Sequence, residues 1–147
     1  MVLDPTRVIS GNYAYVYDEN GKWLTNVMNI EAVIDVGKED IQRAGTRWIG
    51  KKTTTLEGTG TIGGYKVTSE FIKMVSRAAE DNAPPFVTEF VVKLDDPESF
   101  GTERIRLKGV QFDNVPLINA EVGSLVEEEY NFTFDGFEFL DEIPSDN

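Results

Sequence analysis

A long segment near the N-terminus alternates apolar and polar residues with a period of two. The alternation is broken only at positions 26, 27 and 33, and its apolar members are Leu24, Met28, Ile30, Ala32, Ile34 and Val36. Successive side chains of a β-strand point to opposite faces, so this period predicts a strand with one buried face and one mostly solvated face. An amphipathic helix would need apolar residues every three or four positions instead. The segment therefore favours a fold built mainly from β-strands.

Further strands are predicted on both sides of this segment. The pair Asn20-Gly21 follows the β-prone run 13–17 and precedes Trp23, and Asn-Gly is typical of a type I′ hairpin turn. Trp23 is interpreted as a packed strand residue. Strand patterns recur in four later segments, with a bulge predicted at Gly136, and these segments are 51–61, 86–94, 104–108 and 130–135. In the last of them Tyr130, Phe132 and Phe134 are predicted to face the core.

A single segment has a helical period. Ser69 is a suitable N-cap, and the residues of the apolar stripe are Phe71, Ile72, Val75, Ala78 and Ala79. Pro84 and Pro85 end the pattern, which predicts one α-helix at about 69–83, packed on a sheet. The whole chain, 1–147, is predicted to form a single domain with a frayed tail after residue 143. The expected architecture is mainly β (α+β), an antiparallel β-sandwich or partly open barrel of about seven strands.

Histidine and cysteine are both absent from the 147 residues. This absence excludes Ser-His-Asp and Cys-His nucleophiles, disulfides, and metal sites built on thiolates or imidazoles. Carboxylate pairs remain possible among 26 acidic residues, but none is distinguished by an apolar setting. We therefore expect no enzymatic activity, no catalytic residue, no cofactor and no metal.

Three short motifs have structural rather than functional interpretations. The sequence 58–63 matches G-x-G-x-x-G, but a β-prone run follows it where a dinucleotide site needs a helix, so we interpret it as a glycine-weakened strand and turn. The acidic groups Asp95, Asp96 and Glu98 lack the spacing of a calcium loop. Residues 127–129 are three glutamates in a predicted strand, where alternate side chains diverge. The two acidic groups are predicted to be a solvated loop and a solvated strand end.

Charge is unevenly distributed along the chain. The formal net charge is −12, which opposes binding to nucleic acid phosphates. The segment 37–54 is nevertheless basic, and no Lys or Arg follows Lys108. Each region is either a solvated face or one half of a complementary contact between copies, and charge alone leaves both open. The first residues resemble no secretory signal and no run reaches 18 apolar residues, so we expect folding in a cytosol and no membrane span.

The connection 37–50 is long, basic and bounded by glycines. Connections of this length without a regular pattern are often functional. Trp48, next to Arg47, is either an interface anchor or a core-edge residue. The candidate subunit-interface residues are Lys38, Ile41, Arg43, Arg47 and Trp48.

The segments 48–60, beginning Trp-Ile-Gly-Lys-Lys-Thr, and 64–69, Gly-Tyr-Lys-Val-Thr-Ser, resemble the tail-tube proteins of contractile phage tails. The likeness extends over essentially the whole chain. It implies two packed antiparallel sheets with one helix, and hexameric rings that stack into the inner tail tube through which DNA passes. It also implies that loop 37–50 reaches a neighbouring subunit or ring.

The partners implied by this resemblance are other copies of the chain, the tail sheath protein, and the tape-measure and baseplate proteins. DNA would pass without sequence-specific binding, and the protein would reside in the virion tail after synthesis in the bacterial host cytoplasm. Two alternatives remain: the tube protein of a type VI secretion-like machine, which passes effector proteins, and a small-ligand-binding β-barrel, which needs a closed apolar cavity.

Overall fold

The computed structural model describes residues 2–21, 24, 27–66, 69–82 and 84–144. Its strands are β1 (Ala14–Tyr17), β2 (Val27–Ile41), β3 (Gly50–Tyr65), β4 (Thr88–Leu94), β5 (Glu103–Phe112), β6 (Glu127–Phe134) and β7 (Gly136–Asp141). One α-helix, α1 (Glu70–Ser76), lies between β3 and β4, and 3₁₀ turns occupy Pro5–Arg7, Gly11–Tyr13 and Arg77–Ala79. The predicted mainly-β class with seven strands is confirmed.

The strands form an antiparallel sheet that is not closed into a barrel. Its path runs β1-β4-β5-β6-β3-β2, and β7 pairs with β5 beside this path. The sheet has two halves, one with β1, β4 and β7 and the other with β6, β3 and β2. Strand β5 joins them, because residues 103–110 pair with β4 while Gln111 and Phe112 pair with β6. The halves face each other across the core: the rings of Phe90 in β4 and Phe132 in β6 meet edge to face, with centroids 5.7 Å apart.

The core is rich in aromatic side chains. Its buried members are Val16, Ile62, Val75, Phe90, Leu107, Val110, Tyr130, Phe132 and Phe134. Phe112 makes edge-to-face contacts with Phe90, Tyr130 and Phe132. Each such pair adds about 0.5–1.5 kcal/mol beyond the burial of its area. The inward orientation predicted for alternate aromatic residues of β6 is confirmed by their burial.

Glycines in β3 make room for these rings. Gly58 and Gly60 lie opposite Phe134 and Phe132 in the β3–β6 register. A Cβ at Gly60 would lie 2.8 Å from Phe132 Cε2 and 2.5 Å from the backbone oxygen of Glu31. The G-x-G-x-x-G residues thus belong to a strand, as predicted, but no turn interrupts them before Tyr65.

The helix is shorter than predicted. α1 ends at Ser76 and tightens into the 3₁₀ turn Arg77–Ala79, so the α-helix does not reach residue 83. The Ser76 hydroxyl donates to the backbone oxygen of Lys73 (3.0 Å), a local bond that competes with the helical pattern. Ile72 and Val75 are buried, which fits the predicted apolar stripe. The predictions for Trp23 and for residues 145–147 of the tail lie outside the described residues.

The loop between β2 and β3 is also shorter than predicted. Strand β2 continues through Ile41 and β3 begins at Gly50, so the loop spans 42–49 and not 37–50. The register places Glu39 opposite Lys52 and Asp40 opposite Lys51, and the second pair forms a salt bridge. Opposite charges on facing positions stabilise strand pairing. The predicted end of β2 was based on the alternation of apolar and polar residues, which does not include such charge pairs.

Replacement of Gly60 by alanine is expected to destabilise the fold by about 1–3 kcal/mol, because the added methyl group displaces Phe132 or the β2 backbone. Chemical denaturation followed by tryptophan fluorescence measures the free energy of unfolding. Gly11→Ala is the matched control, since a Cβ there has no neighbour within 4 Å. Equal stabilities of the two variants would contradict the close approach of β3 to β6.

Candidate subunit interface

The paired strands β2 and β3 extend beyond the body of the protein. Strand β6 pairs with β3 only from Gly58 to Tyr65, so the first half of β3 has β2 on one side and no further strand among those described on the other. Residues 31–57 are exposed apart from Gly37 and Gly50, which are half-buried. We call residues 31–57 the projecting hairpin. Its β2 arm is roughly 35 Å long at about 3.3 Å per residue.

The projecting hairpin carries apolar side chains in contact with solvent. Ile34, Val36 and Leu56 are 40%, 48% and 70% exposed. Cross-strand register places Val36 opposite Leu56, on the same face as the core pair Ile30 and Ile62. The face predicted to be buried is therefore half-buried at Leu24 and Ile30 but exposed at Met28, where the register is irregular, and nothing in the described chain covers it beyond Ile30. Continuous apolar surface of this kind is characteristic of a protein–protein contact.

All five candidate interface residues are exposed, but they do not form one cluster. Arg43 and Trp48 meet in loop 42–49, where the Arg43 guanidinium donates to the Trp48 backbone oxygen (3.4 Å). Ile41 ends β2 beside this loop, whereas Lys38 lies along the strand, opposite Thr53. Trp48 is 81% exposed, so of its two interpretations the core-edge one is wrong.

The loop at the tip is held by local hydrogen bonds. Thr46 Oγ1 accepts from the Trp48 backbone N–H (3.1 Å), and Gly45 has φ +84°, a left-handed conformation that glycine adopts without strain. Lys51 is paired with Asp40, and Arg43 with its own loop. Arg47, by contrast, has no hydrogen bond or ion pair with any described residue. The tip therefore presents an uncompensated guanidinium next to an exposed indole.

Glu128 is buried, although residues 127–129 were predicted to be a solvated strand end. It is 9% exposed and lies on the inward face of β6 with Tyr130 and Phe132. The Tyr130 hydroxyl donates to Glu128 Oε2 (2.8 Å), and Lys66 Nζ lies 3.7 Å from Oε1. Burial, followed by this hydrogen bond and the charge of Glu128, raises the pKa of Tyr130. The alternation of β6 itself could have identified Glu128 as inward-facing.

Asp96 is also buried, so the prediction of a solvated loop is wrong at this position. Its carboxylate accepts from the backbone N–H groups of Ser10 and Glu98, each at 2.9 Å, and these bonds fasten the N-terminal segment to the β4–β5 loop. The hydrogen bond from Thr102 lowers the pKa of the neighbouring Asp95.

Within the described ranges, no three acidic side chains are grouped as metal ligands, and no helix has the length and apolar content to cross a bilayer.

Comparison with known proteins identifies the family of this hairpin-bearing fold. Residues 1–141 match the family described as phage tail tube protein. The chain belongs to the phage tail tube protein family. It is 32% identical to the phage-like element PBSX protein XkdM of Bacillus subtilis (strain 168), over 97% of each chain. It is likewise 32% identical to the uncharacterized protein YqbM of the same strain, over 99% of each chain.

Solved structures support the tail tube fold. The sheath–tube complex of the PVC extracellular contractile injection system, in its extended state, matches with a TM-score of 0.71 over 90% of each chain, at 7% identity. The sheath/tube terminator of the same system matches with a TM-score of 0.74, at 6% identity, over 91% of this chain and 97% of that one. At such low identity these matches show the fold alone. The family and its relatives make this chain a structural tail tube protein, which points to a non-enzymatic role.

Replacement of Asp96 by alanine is expected to destabilise this tail tube protein by about 1–3 kcal/mol, because two backbone N–H groups lose their acceptor. Hydrogen exchange should show faster exchange at Ser10 and Glu98, and thermal unfolding should give a lower Tm. Asp95→Ala is the control, since Asp95 is exposed. The assignment fails if both variants unfold alike.

Proposed function

We propose that this protein is the subunit of the inner tube of a contractile phage or prophage tail, and that its copies form hexameric rings that stack into a DNA-conducting tube. The observation that carries the proposal is the projecting hairpin, which exposes apolar and cationic side chains along its whole length. In an isolated chain these side chains remain largely in contact with solvent. A second copy laid against them would bury Ile34, Val36 and Leu56, and removal of apolar surface from water is the main driving force of association.

The proposed interface residues are Lys38, Ile41, Arg43, Arg47 and Trp48. Tryptophan and arginine contribute strongly to binding when a partner surrounds them, and Trp48 is exposed on a loop of defined shape. The strands β1, β2 and β7 are sheet edges in the described chain. Edge pairing between copies would satisfy their free backbone groups, and a head-to-tail contact that closes produces a ring.

The charge of the chain suits a conduit for DNA. At −12, repeated in every subunit, the assembly would repel phosphates, so that DNA slides without being held. The sheath, tape-measure and baseplate proteins are the further partners we propose, with synthesis in the host cytoplasm and a single domain over 1–147. Related contractile injection structures include sheath–tube and baseplate complexes, which supports this arrangement.

The two alternatives are less well supported. A small-ligand-binding barrel requires closure, and the observed sheet is open. A type VI secretion-like tube would share the fold but conduct proteins. The likeness to XkdM of a phage-like element favours the phage tail.

Trp48→Ala is expected to abolish or greatly reduce ring and tube formation without loss of the fold, because the indole is exposed in the isolated chain. Negative-stain electron microscopy at high protein concentration measures assembly, and circular dichroism checks folding. Leu3→Ala is the control, because Leu3 is also strongly exposed, at 75%, but lies outside the projecting hairpin. A wild-type protein that never assembles, even with its sheath partner, would refute the tail tube assembly.

Purified tubes are expected not to retain double-stranded DNA, even at low salt, because counterion release requires clusters of cations. Filter binding of labelled DNA against increasing salt measures retention. A basic protein that binds DNA serves as the positive control. Salt-sensitive retention, or a solved tube with a basic lumen, would contradict the proposed sliding surface.

A further inference from the structure

A small pocket lies at the end of β3 opposite the hairpin tip. Its volume is about 40 Å³, and its lining among the described residues consists of Leu24, Val27, Ile62, Gly63, Gly64, Tyr65, Glu128 and Tyr130. Most of this lining is apolar, and Glu128 contributes its carboxylate. Tyr65 is 40% exposed, so the pocket adjoins the surface.

One oxygen of the pocket lacks a donor. Glu128 Oε2 accepts from Tyr130, but no hydrogen-bond donor among the described residues reaches Oε1, which is fully buried. Lys66 Nζ is 3.7 Å away, which balances part of the charge without making a hydrogen bond, and it lies 3.5 Å from the backbone oxygen of Leu117. A buried carboxylate oxygen without a donor costs roughly 1–3 kcal/mol or more, so a group that donated to Oε1 would relieve this cost.

The chemistry of the pocket defines the class of this ligand. Apolar walls accept an aliphatic stem, and the carboxylate accepts a charge-assisted hydrogen bond from a cation at its end. One water needs about 10–15 Å³ on the same measure, so about 40 Å³ holds a small head group. The side chain of an arginine or a lysine has both properties.

The chain itself carries such a side chain at the other end of the same strand pair. Arg47 is exposed at the hairpin tip and unpaired among the described residues. It cannot reach the pocket of its own chain, because β3 runs from Gly50 to Tyr65, a distance of roughly 50 Å at about 3.3 Å per residue. It can reach the pocket of a second copy placed end to end along the hairpin.

Charge at the two ends is complementary. A groove next to the pocket is bordered by Tyr65, Glu121, Ser124, Leu125 and Glu127. No Lys or Arg follows Lys108, so the segment containing these glutamates adds no cation of its own. Acidic groups around the mouth would attract the basic tip of another copy before contact.

We infer that the Glu128 pocket binds the guanidinium of Arg47 from a second copy, an inference that rests on the proposed tube assembly. The donor and acceptor ends lie at opposite ends of one strand pair, so each copy can both insert its tip and receive another. Such a contact is heterologous and propagates along the hairpin direction. Because edge pairing is proposed above to close the ring, we assign the pocket contact to stacking along the tube.

Chemical cross-linking tests this contact directly, since the natural chain has no cysteine. Ala44→Cys marks the tip and Ser124→Cys marks the groove, and both original residues are exposed. The double variant, treated with a short bis-maleimide under assembly conditions, is expected to give a ladder of covalent oligomers. A mixture of the two single variants should give mainly dimers, because each molecule then carries one cysteine and can form only one cross-link. Ala44→Cys combined with Asn20→Cys, an exposed position beyond β1, is the control and should give no ladder.

Two substitutions then test the ligands themselves. Glu128→Gln and Arg47→Ala are each expected to weaken stacking at least about tenfold in sedimentation assays and to remove the 44–124 ladder. Their matched controls are Glu129→Gln, on the outward face of β6 and outside the groove, and Lys73→Ala, an exposed position on α1. Because Arg47 is exposed, its truncation leaves the fold intact and keeps the test valid if Glu128→Gln lowers the Tm.

The outcomes separate this inference from the proposed function. Tubes that form without the 44–124 ladder, or that are indifferent to Glu128→Gln and Arg47→Ala, would overturn the pocket assignment and leave the tube intact. A high-resolution tube map with only water on Glu128 Oε1 would overturn it as well. Complete failure of the wild-type chain to form rings or tubes would refute the proposed function itself.

Discussion

The aromatic contact between the two halves of the sheet is the interaction on which the rest of the structure depends. Phe112, at the end of β5, touches Phe90 on one side and Phe132 on the other. Because β5 pairs with strands of both halves, these rings close the core without closing the sheet into a barrel. The open edges that result are available to other copies.

The same arrangement explains why the hairpin projects. Strand β6 covers eight residues of β3, whereas β3 has sixteen. The aromatic core therefore supports only the half of β3 whose glycines admit the rings of Phe132 and Phe134. The remaining half is stabilised by pairing with β2 and by cross-strand charges such as Asp40 with Lys51. A segment held in this way is ordered enough to present side chains and exposed enough to bind a partner, which is what a self-assembling subunit requires.

Much of the fold could be predicted from the sequence, whereas the limits of its elements could not. The period of two in β6 correctly predicted that Tyr130, Phe132 and Phe134 face inward. The end of β2 was placed too early, because register depends on which residues lie opposite one another, and that information is not local. Exposure of Trp48 fits its interpretation as an interface anchor, while its role in assembly remains a proposal. Glu128 and Asp96 were missed as buried acids, since charged residues are almost never buried unless paired.

The sequence by itself determined the strand periodicity, the absence of histidine and cysteine chemistry, and the segregation of charge along the chain. These properties follow from residue identity and spacing alone. Only the tertiary structure decided that the alternating segment leaves the core after Ile30, that Glu128 lines a pocket, and that this pocket lies at the opposite end of the hairpin from Arg47. The physical reason is that burial depends on which distant strands cover a residue, and here β6 ends before the hairpin does.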